Sequence, residues 1–203
     1  MPWKEGHKEA TRERIVKAAA SAFRKRGLAG VGVADVMEQA GLTHGGFYAH
    51  FKSKDELIAA ALQEASGQSA VRRMARGEEG EAASHLQAIA ARYLRLEHAQ
   101  HPETGCVIAA LGQELGRDDS PVRDEFDANL TSLRKLLATR APGADAKAQA
   151  WQATGTLAAM VGGIVLARGL EDPAEAERLL SQVRRFVAEG LGEEVAPNAP
   201  KPA

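Results

Sequence analysis

Residues 43–54 read THGGFYAHFKSK. Threonine, two histidines, a tyrosine and two lysines fall within this stretch beside two adjacent glycines. On a short helix turning about 100° per residue, Phe47 and Phe51 sit about 40° apart and form an inward face. Gly45, Gly46 and Ala49 then form the opposite face, with His44 and Tyr48 on one flank and Thr43 and His50 on the other. Such small side chains let a helix backbone come close to a partner, and the polar flanks reach outward. The pattern suits a DNA groove, with Lys52 and Lys54 placed for the phosphate backbone. Two glycines weaken a helix by roughly 2 kcal/mol relative to alanine, and the paired phenylalanines are expected to offset that. Lys54 stands in the first turn of the next helix. That is unfavourable for the helix dipole alone and favourable if a phosphate is bound there.

A second group is His98, His101, Glu103 and Cys106. Its spacing matches no zinc pattern, so no metal is expected. The sequence carries no nucleophile elbow, phosphate loop, HExxH or paired metal cysteines, so no enzyme activity and no cofactor are expected. The single cysteine, Cys106, cannot form an internal disulfide. A thiol at a helix start can be reactive, although a small buried hydrophobe is the plainer reading.

The elements that position these residues read as all-α. Alanine is abundant, and neither strand alternation nor a hairpin signal appears. A first helix over 8–26 carries Ile15, Ala19, Ala22 and Phe23 on one stripe and ends at Gly27. A second over 33–40 carries Val33, Val36, Met37 and Ala40. Gly41-Leu42-Thr43 is a tight turn, and Thr43 can cap the short third helix at 44–50. Ser53 opens a fourth helix, with Glu56 at the capping-box position and Leu57, Ile58, Ala61 and Leu62 on its stripe. Two short helices joined by a tight turn make a helix-turn-helix. Pro102, Pro121, Pro142 and Pro173 mark helix starts or loops further on, and longer helices are expected near 145–168 and 173–190.

Charge follows the same division. Residues 1–54 hold ten Lys and Arg against five acids, a net of +5, whereas the remainder is net −6. A basic head on an acidic body suits a polyanion-binding module joined to something else. The chain has no run of 18 apolar residues and no leader-like N-terminus, so a cytoplasmic protein is expected.

Residues 9–62 resemble the DNA-binding head of the TetR family of bacterial transcriptional repressors. The matching residues are Arg12 to Phe23, Gly27, Val36 with Ala40-Gly41, Thr43, Gly46-Phe47-Tyr48, His50-Phe51, Lys54 and Glu56-Leu57. The resemblance implies that the third helix reads DNA, and that Thr43, His44, Gly45, Tyr48, His50 and Lys54 stand where contacts commonly fall. Two positions depart from the pattern. Gly32 opens helix two where Thr or Ser is usual, which removes a hydroxyl. His44 stands where lysine is frequent, which makes that contact weaker and pH-dependent.

The resemblance also implies a helical body that binds an effector and dimerises. The division expected is a head at 1–52, a body at 53–190 and a disordered tail at 191–203. Candidate pocket walls are Leu86, Ile89, Tyr93, Cys106, Ala110, Phe126, Leu130 and Trp151, together with Leu133 and Met160. Few interior charges point to an apolar or neutral effector, and a Gly-Cys segment like that around Cys106 occurs in members that respond to electrophiles. Trp151, Gly155, Ala158, Gly162 and Val165 form a seam of mostly small residues. With Val183 and Phe186 of the last helix they make a candidate homodimer face. The function expected is a ligand-responsive repressor of a pseudo-palindromic operator. The alternative is an activator, or an architectural DNA-binding protein without an effector.

Overall fold

A computed structural model describes residues 5–67, 82–116 and 121–191, and the regular elements among them are all helices, with no strand. The head holds α1 (Glu5–Arg26), α2 (Val33–Gln39), a 3₁₀ helix η1 (His44–Ala49) and α3 (Lys54–Gly67), the last counted here because it packs on α1, although the expected division places it in the body. The body holds α4 (Ala82–Tyr93), α5 (Leu96–Gln100), a 3₁₀ turn η2 (Pro102–Thr104), α6 (Val107–Leu115), α7 (Pro121–Ala138), α8 (Ala146–Arg168) and α9 (Pro173–Gly190). The tail expected to be disordered lies outside the described residues, apart from Leu191.

The local signals act largely as their chemistry dictates. Gly27 takes φ +78° after α1, a backbone conformation that side chains disfavour. The Ser53 hydroxyl accepts from the Glu56 N–H at 3.1 Å, and the Glu56 carboxylate reaches back to the Lys52 N–H at 2.7 Å. The box therefore closes one residue further back than its standard form. Asp145 and Asp172 cap α8 and α9, and Pro173 follows in the first turn.

Two apolar cores form. The first gathers Ile15, Phe23, Val36, Met37, Phe47, Phe51, Leu57 and Leu62 from the head with Val107, Leu111, Leu115, Val122 and Phe126 of α6 and α7. Hydrophobic burial thus runs across the boundary expected at residue 52, and α3 packs on α1 and on α7. The second core lies within the body, around Leu86, Ile89, Tyr93, Leu133, Met160 and Ile164.

α8 is long and apolar enough to cross a membrane by length and composition, although polar residues interrupt its apolar run. Its inner face, with Met160, Ile164 and Ala167, is built into the body core.

Candidate nucleic-acid interface and its link to the body

η1 is a 3₁₀ turn, tighter than the α-helix expected, so residues three apart eclipse. Its adjacent glycines and its six-residue length give the wider helix little to stabilise it. Phe47 and Phe51 turn inward while Gly45 and Ala49 are exposed, but Gly46, expected on the outward face with them, turns toward α2. Phe47 and Phe51 are each 1% exposed and stack at 5.7 Å, and the Arg12 guanidinium lies 4.9 Å from the Phe51 ring centroid. Gly46 rests on Met37, at a distance of 3.6 Å for an added Cβ, while Gly45 faces open space.

Thr43, His44, Gly45, Tyr48, Ala49 and Lys52 are exposed, and Tyr48 is 70% exposed. His44 and Tyr48 meet edge to face at 6.4 Å. Thr43 makes no side-chain cap; its carbonyl accepts from the Gly46 N–H at 3.0 Å instead. The hydroxyl expected to cap η1 thus does not cap it.

His50 is half-buried, and its Nδ1 is buried with no hydrogen-bond partner among the described residues. Desolvation first, then the charges of Lys8 and Arg12, holds its pKa below the ordinary histidine value. A cavity of about 480 Å³ opens beside it, between the first turns of α1 (His7, Lys8, Thr11) and η1. Nothing within residues 43–54 signals this basic wall, because α1 reaches it only through the fold.

Lys54 departs from expectation. Its Nζ donates to the Leu28 carbonyl at 2.7 Å and lies 6.0 Å from the Phe23 ring. It ties α3 to the loop after α1 rather than facing outward. At α2, the Asp35 carboxylate accepts from the Gly32 N–H at 2.7 Å. That hydrogen bond, aided by Arg26, lowers the Asp35 pKa. Asp35 thus supplies half of the cap that a Thr or Ser at position 32 would complete.

The Leu28 peptide is held from both sides. Its N–H donates to the Glu114 carboxylate of α6 at 2.8 Å, while its carbonyl takes Lys54. A second tie runs from Arg24 of α1, which is 6% exposed. Its Nη1 donates to the Gly105 carbonyl at 3.1 Å and its Nε to Ala20 at 2.9 Å. Arg168 of α8 donates to the carbonyls of Ala99, Ala109 and His98 at 3.1, 3.1 and 3.3 Å. Sequence reading did not single out Glu114, Arg24 or Arg168. The available signal was a charge on an apolar stripe: Arg24 follows Ala20 by four, and Arg168 follows Ile164 by four.

The expected pocket walls mostly close into core. Leu86, Ile89 and Tyr93 are at most 1% exposed, and Leu133, Met160 and Cys106 are buried as well. Leu130 packs against both cores, and Ala110 and Phe126 line a cavity described below. Trp151 does not belong with them. It is 58% exposed near the start of α8, on the outward seam. Gly155, Ala158 and Val165 are exposed there too, and a Cβ added at Gly155 or Gly162 would meet nothing within 4 Å. Phe186 is 67% exposed, but Val183 turns inward, 3.3 Å from an added Cβ at Gly163.

The Cys106 N–H donates to His98 Nε2 at 2.9 Å. His98 Nδ1 lies 2.8 Å from the Tyr93 carbonyl, which fixes the neutral tautomer with its proton on Nδ1. Desolvation holds the His98 pKa below its usual value, against the bond to the Tyr93 carbonyl and aided by Arg168. Burial, with the Cys106 thiol beside it, raises the Tyr93 phenol well above its usual value. No group of three metal-ligating side chains occurs among the described residues.

A family profile described as bacterial regulatory proteins of the tetR family matches residues 15–61. A second, described as a tetracyclin repressor-like C-terminal domain, matches residues 82–183. The chain belongs to the TetR family. That family is one of bacterial regulatory proteins, and the chain has its helix-turn-helix head and helical body. The HTH-type transcriptional regulator TtgR of Pseudomonas putida is 48% identical over 54 residues, 27% of this chain and 26% of that protein. The similarity thus spans about a quarter of that relative's length. A TetR transcriptional regulator from Chloroflexus aurantiacus is 26% identical, with a TM-score of 0.72 over 90% of this chain and 96% of that one. The FadR regulator of Bacillus subtilis, solved in complex with stearoyl-CoA, shares the fold at 18% identity. Its TM-score is 0.65 over 88% of this chain and 98% of its own.

Proposed function

We propose that this TetR-family protein is a cytoplasmic repressor that dimerises through α8 and α9 and releases a pseudo-palindromic operator when a small molecule binds its body. The observation that carries the reading is the Leu28 peptide, held by Glu114 of the body and by Lys54 of the head. A shift of α6 pulls on the loop that follows α1, and the core shared by α1, α3, α6 and α7 carries the shift to η1. Thr43, His44, Gly45, Tyr48 and Lys52 are the DNA contacts in this reading, with His50 at the edge of the groove. Lys54 acts through the Leu28 loop.

The outward seam of α8, with Phe186, is the dimer face. Its glycines admit close helix approach, and its exposed Trp151, Val165 and Phe186 are apolar area that a second copy would cover. Two heads would then face successive half-sites. A thiol-reactive effector is the weaker reading, because Cys106 is buried.

The test is fluorescence anisotropy on the DNA flanking the protein's own gene, at several salt concentrations, with a panel of small molecules. Salt-sensitive binding that one compound abolishes supports the proposal. Binding that no compound alters favours the architectural alternative, and no binding in a genome-wide selection overturns the DNA contacts assigned here.

A further inference from the structure

A cavity of about 590 Å³ lies where α1 meets α6, α7 and α8. That volume falls within the roughly 300–1,000 Å³ that ligand pockets occupy. One part of its wall is basic, with Arg24, Lys25 and Arg168. The rest is mainly apolar, with Ile108, Phe126 and Val161 among its residues.

The two arginines meet at one point. The Gly105 carbonyl accepts from Arg24, and a Cβ added to Gly105 would lie 3.2 Å from Arg168 Nη2. Both guanidiniums donate only to backbone carbonyls, and among the described residues neither forms an ion pair with a carboxylate. Desolvation, the largest cause, lowers the pKa of both, opposed on each by Cys106 and Glu103, with Glu64 acting on Arg24 and Tyr93 on Arg168. Charges so placed are ordinarily paired.

We infer that this junction cavity binds an amphipathic anion, its acidic group on Arg24, Lys25 and Arg168 and its apolar chain along Ile108, Phe126 and Val161. The inference rests on the reading that the body takes an effector, and it replaces the apolar or neutral effector expected from sequence. An anion at Arg24 competes with the Gly105 carbonyl for the guanidinium and so loosens one of the two ties between α1 and the body. The same cavity touches Gly27 and Gln113, the chain neighbours of Leu28 and Glu114, so an occupant also bears on the other tie.

Isothermal titration calorimetry of the full chain with decanoate, decanol and decyltrimethylammonium tests the assignment. The expected result is saturable binding of decanoate at least tenfold tighter than either of the others. Lys25→Ala, at an exposed position, should weaken decanoate two- to fivefold, and Arg168→Gln should abolish the preference for decanoate over decanol. Should Arg168→Gln fail to fold by circular dichroism, Lys25→Ala decides between the outcomes. Equal binding of decanoate and decanol, no binding of decanoate, or decanoate binding that Lys25→Ala leaves unchanged would overturn the assignment. Operator anisotropy run in parallel separates the two readings. If some other compound releases the operator and decanoate does not bind, the effector reading stands and this site falls. If decanoate binds with the expected preference but leaves the operator occupied, the site stands and the effector reading falls.

Discussion

Removing the Glu114 carboxylate should weaken both the fold and the communication within it. The Leu28 N–H donates to that carboxylate at 2.8 Å, and Leu28 is 8% exposed. The loop has little freedom to find another acceptor, because Gly27 turns there at φ +78° and Lys54 holds the Leu28 carbonyl. Glu114→Ala leaves a half-buried donor unmade, which costs about 1–3 kcal/mol. For a chain of this length each kcal/mol lowers Tm by roughly 2–4 °C, so a loss near the middle of that range is a fall of roughly 4–8 °C. Glu114→Gln keeps an acceptor at the same reach but removes its charge. Charge-assisted bonds are about twice as strong as neutral ones, so about half the loss is expected. The more pointed readout is coupling, the ratio of operator affinity with and without effector. Coupling free energies are typically about 1–3 kcal/mol. If the tie carries the signal, Glu114→Ala should cut that ratio by about fivefold or more while the affinity of the effector-free protein changes less. Calorimetric melting and operator anisotropy measure the two effects. A variant that melts within about 1 °C of the parent would mean that water satisfies the Leu28 N–H at no cost. An unchanged affinity ratio, even with a lowered Tm, would refute the tie as a route between body and head.

Three further outcomes are expected. Tyr48→Ala, at a side chain 70% exposed, should weaken operator binding by tenfold or more and leave Tm unchanged, and Lys52→Ala should lower the slope of log affinity against log salt by about 1, the share of a single neutralised phosphate. Val165→Asp with Phe186→Ser should give a monomer by analytical ultracentrifugation and a large loss of operator affinity, with the isolated fold intact, since both residues are exposed. Stability should fall as pH drops below the ordinary histidine value of about 6.5, because the unfolded chain then takes up protons that His98 and His50 resist when folded. Full stabilisation is present above that value and is lost on the way down to the depressed folded values. His98→Gln should flatten the dependence of thermal midpoint on pH. An unchanged slope would show that His98 does not carry it.

The features legible in the sequence share one property: each depends on residues within a few positions of one another. The stripe of α1, the buried pair Phe47 and Phe51, the Gly27 turn and the Ser53–Glu56 cap are local patterns. A period of 3.6 or a fixed capping offset exposes them. The features that sequence misplaces or hides depend on partners far along the chain. Lys54 reads as a phosphate contact because its neighbours along the chain form the basic end of the head. Its actual acceptor is the Leu28 carbonyl, 26 residues earlier. Glu114 reaches 86 residues back to Leu28, and Arg24 reaches 81 residues forward to Gly105. Trp151 fits both the pocket and the seam on paper, since periodicity identifies the residues of one helical face but not which way that face turns. Local pattern is enough to build a head and a body. It does not determine how they are joined, because the joints are single polar contacts superimposed on a continuous apolar core. In the proposed mechanism those joints carry the signal. Apolar packing joins α1, α3, α6 and α7 in one core, while the polar ties are directional, and in the proposed mechanism a ligand of the right charge competes for them. Arg24 belongs to both systems, with its stem in the buried stripe of α1 and its guanidinium on the body's Gly105. In the proposed mechanism the junction between head and body is therefore the place where binding of an anion has the shortest physical route to DNA.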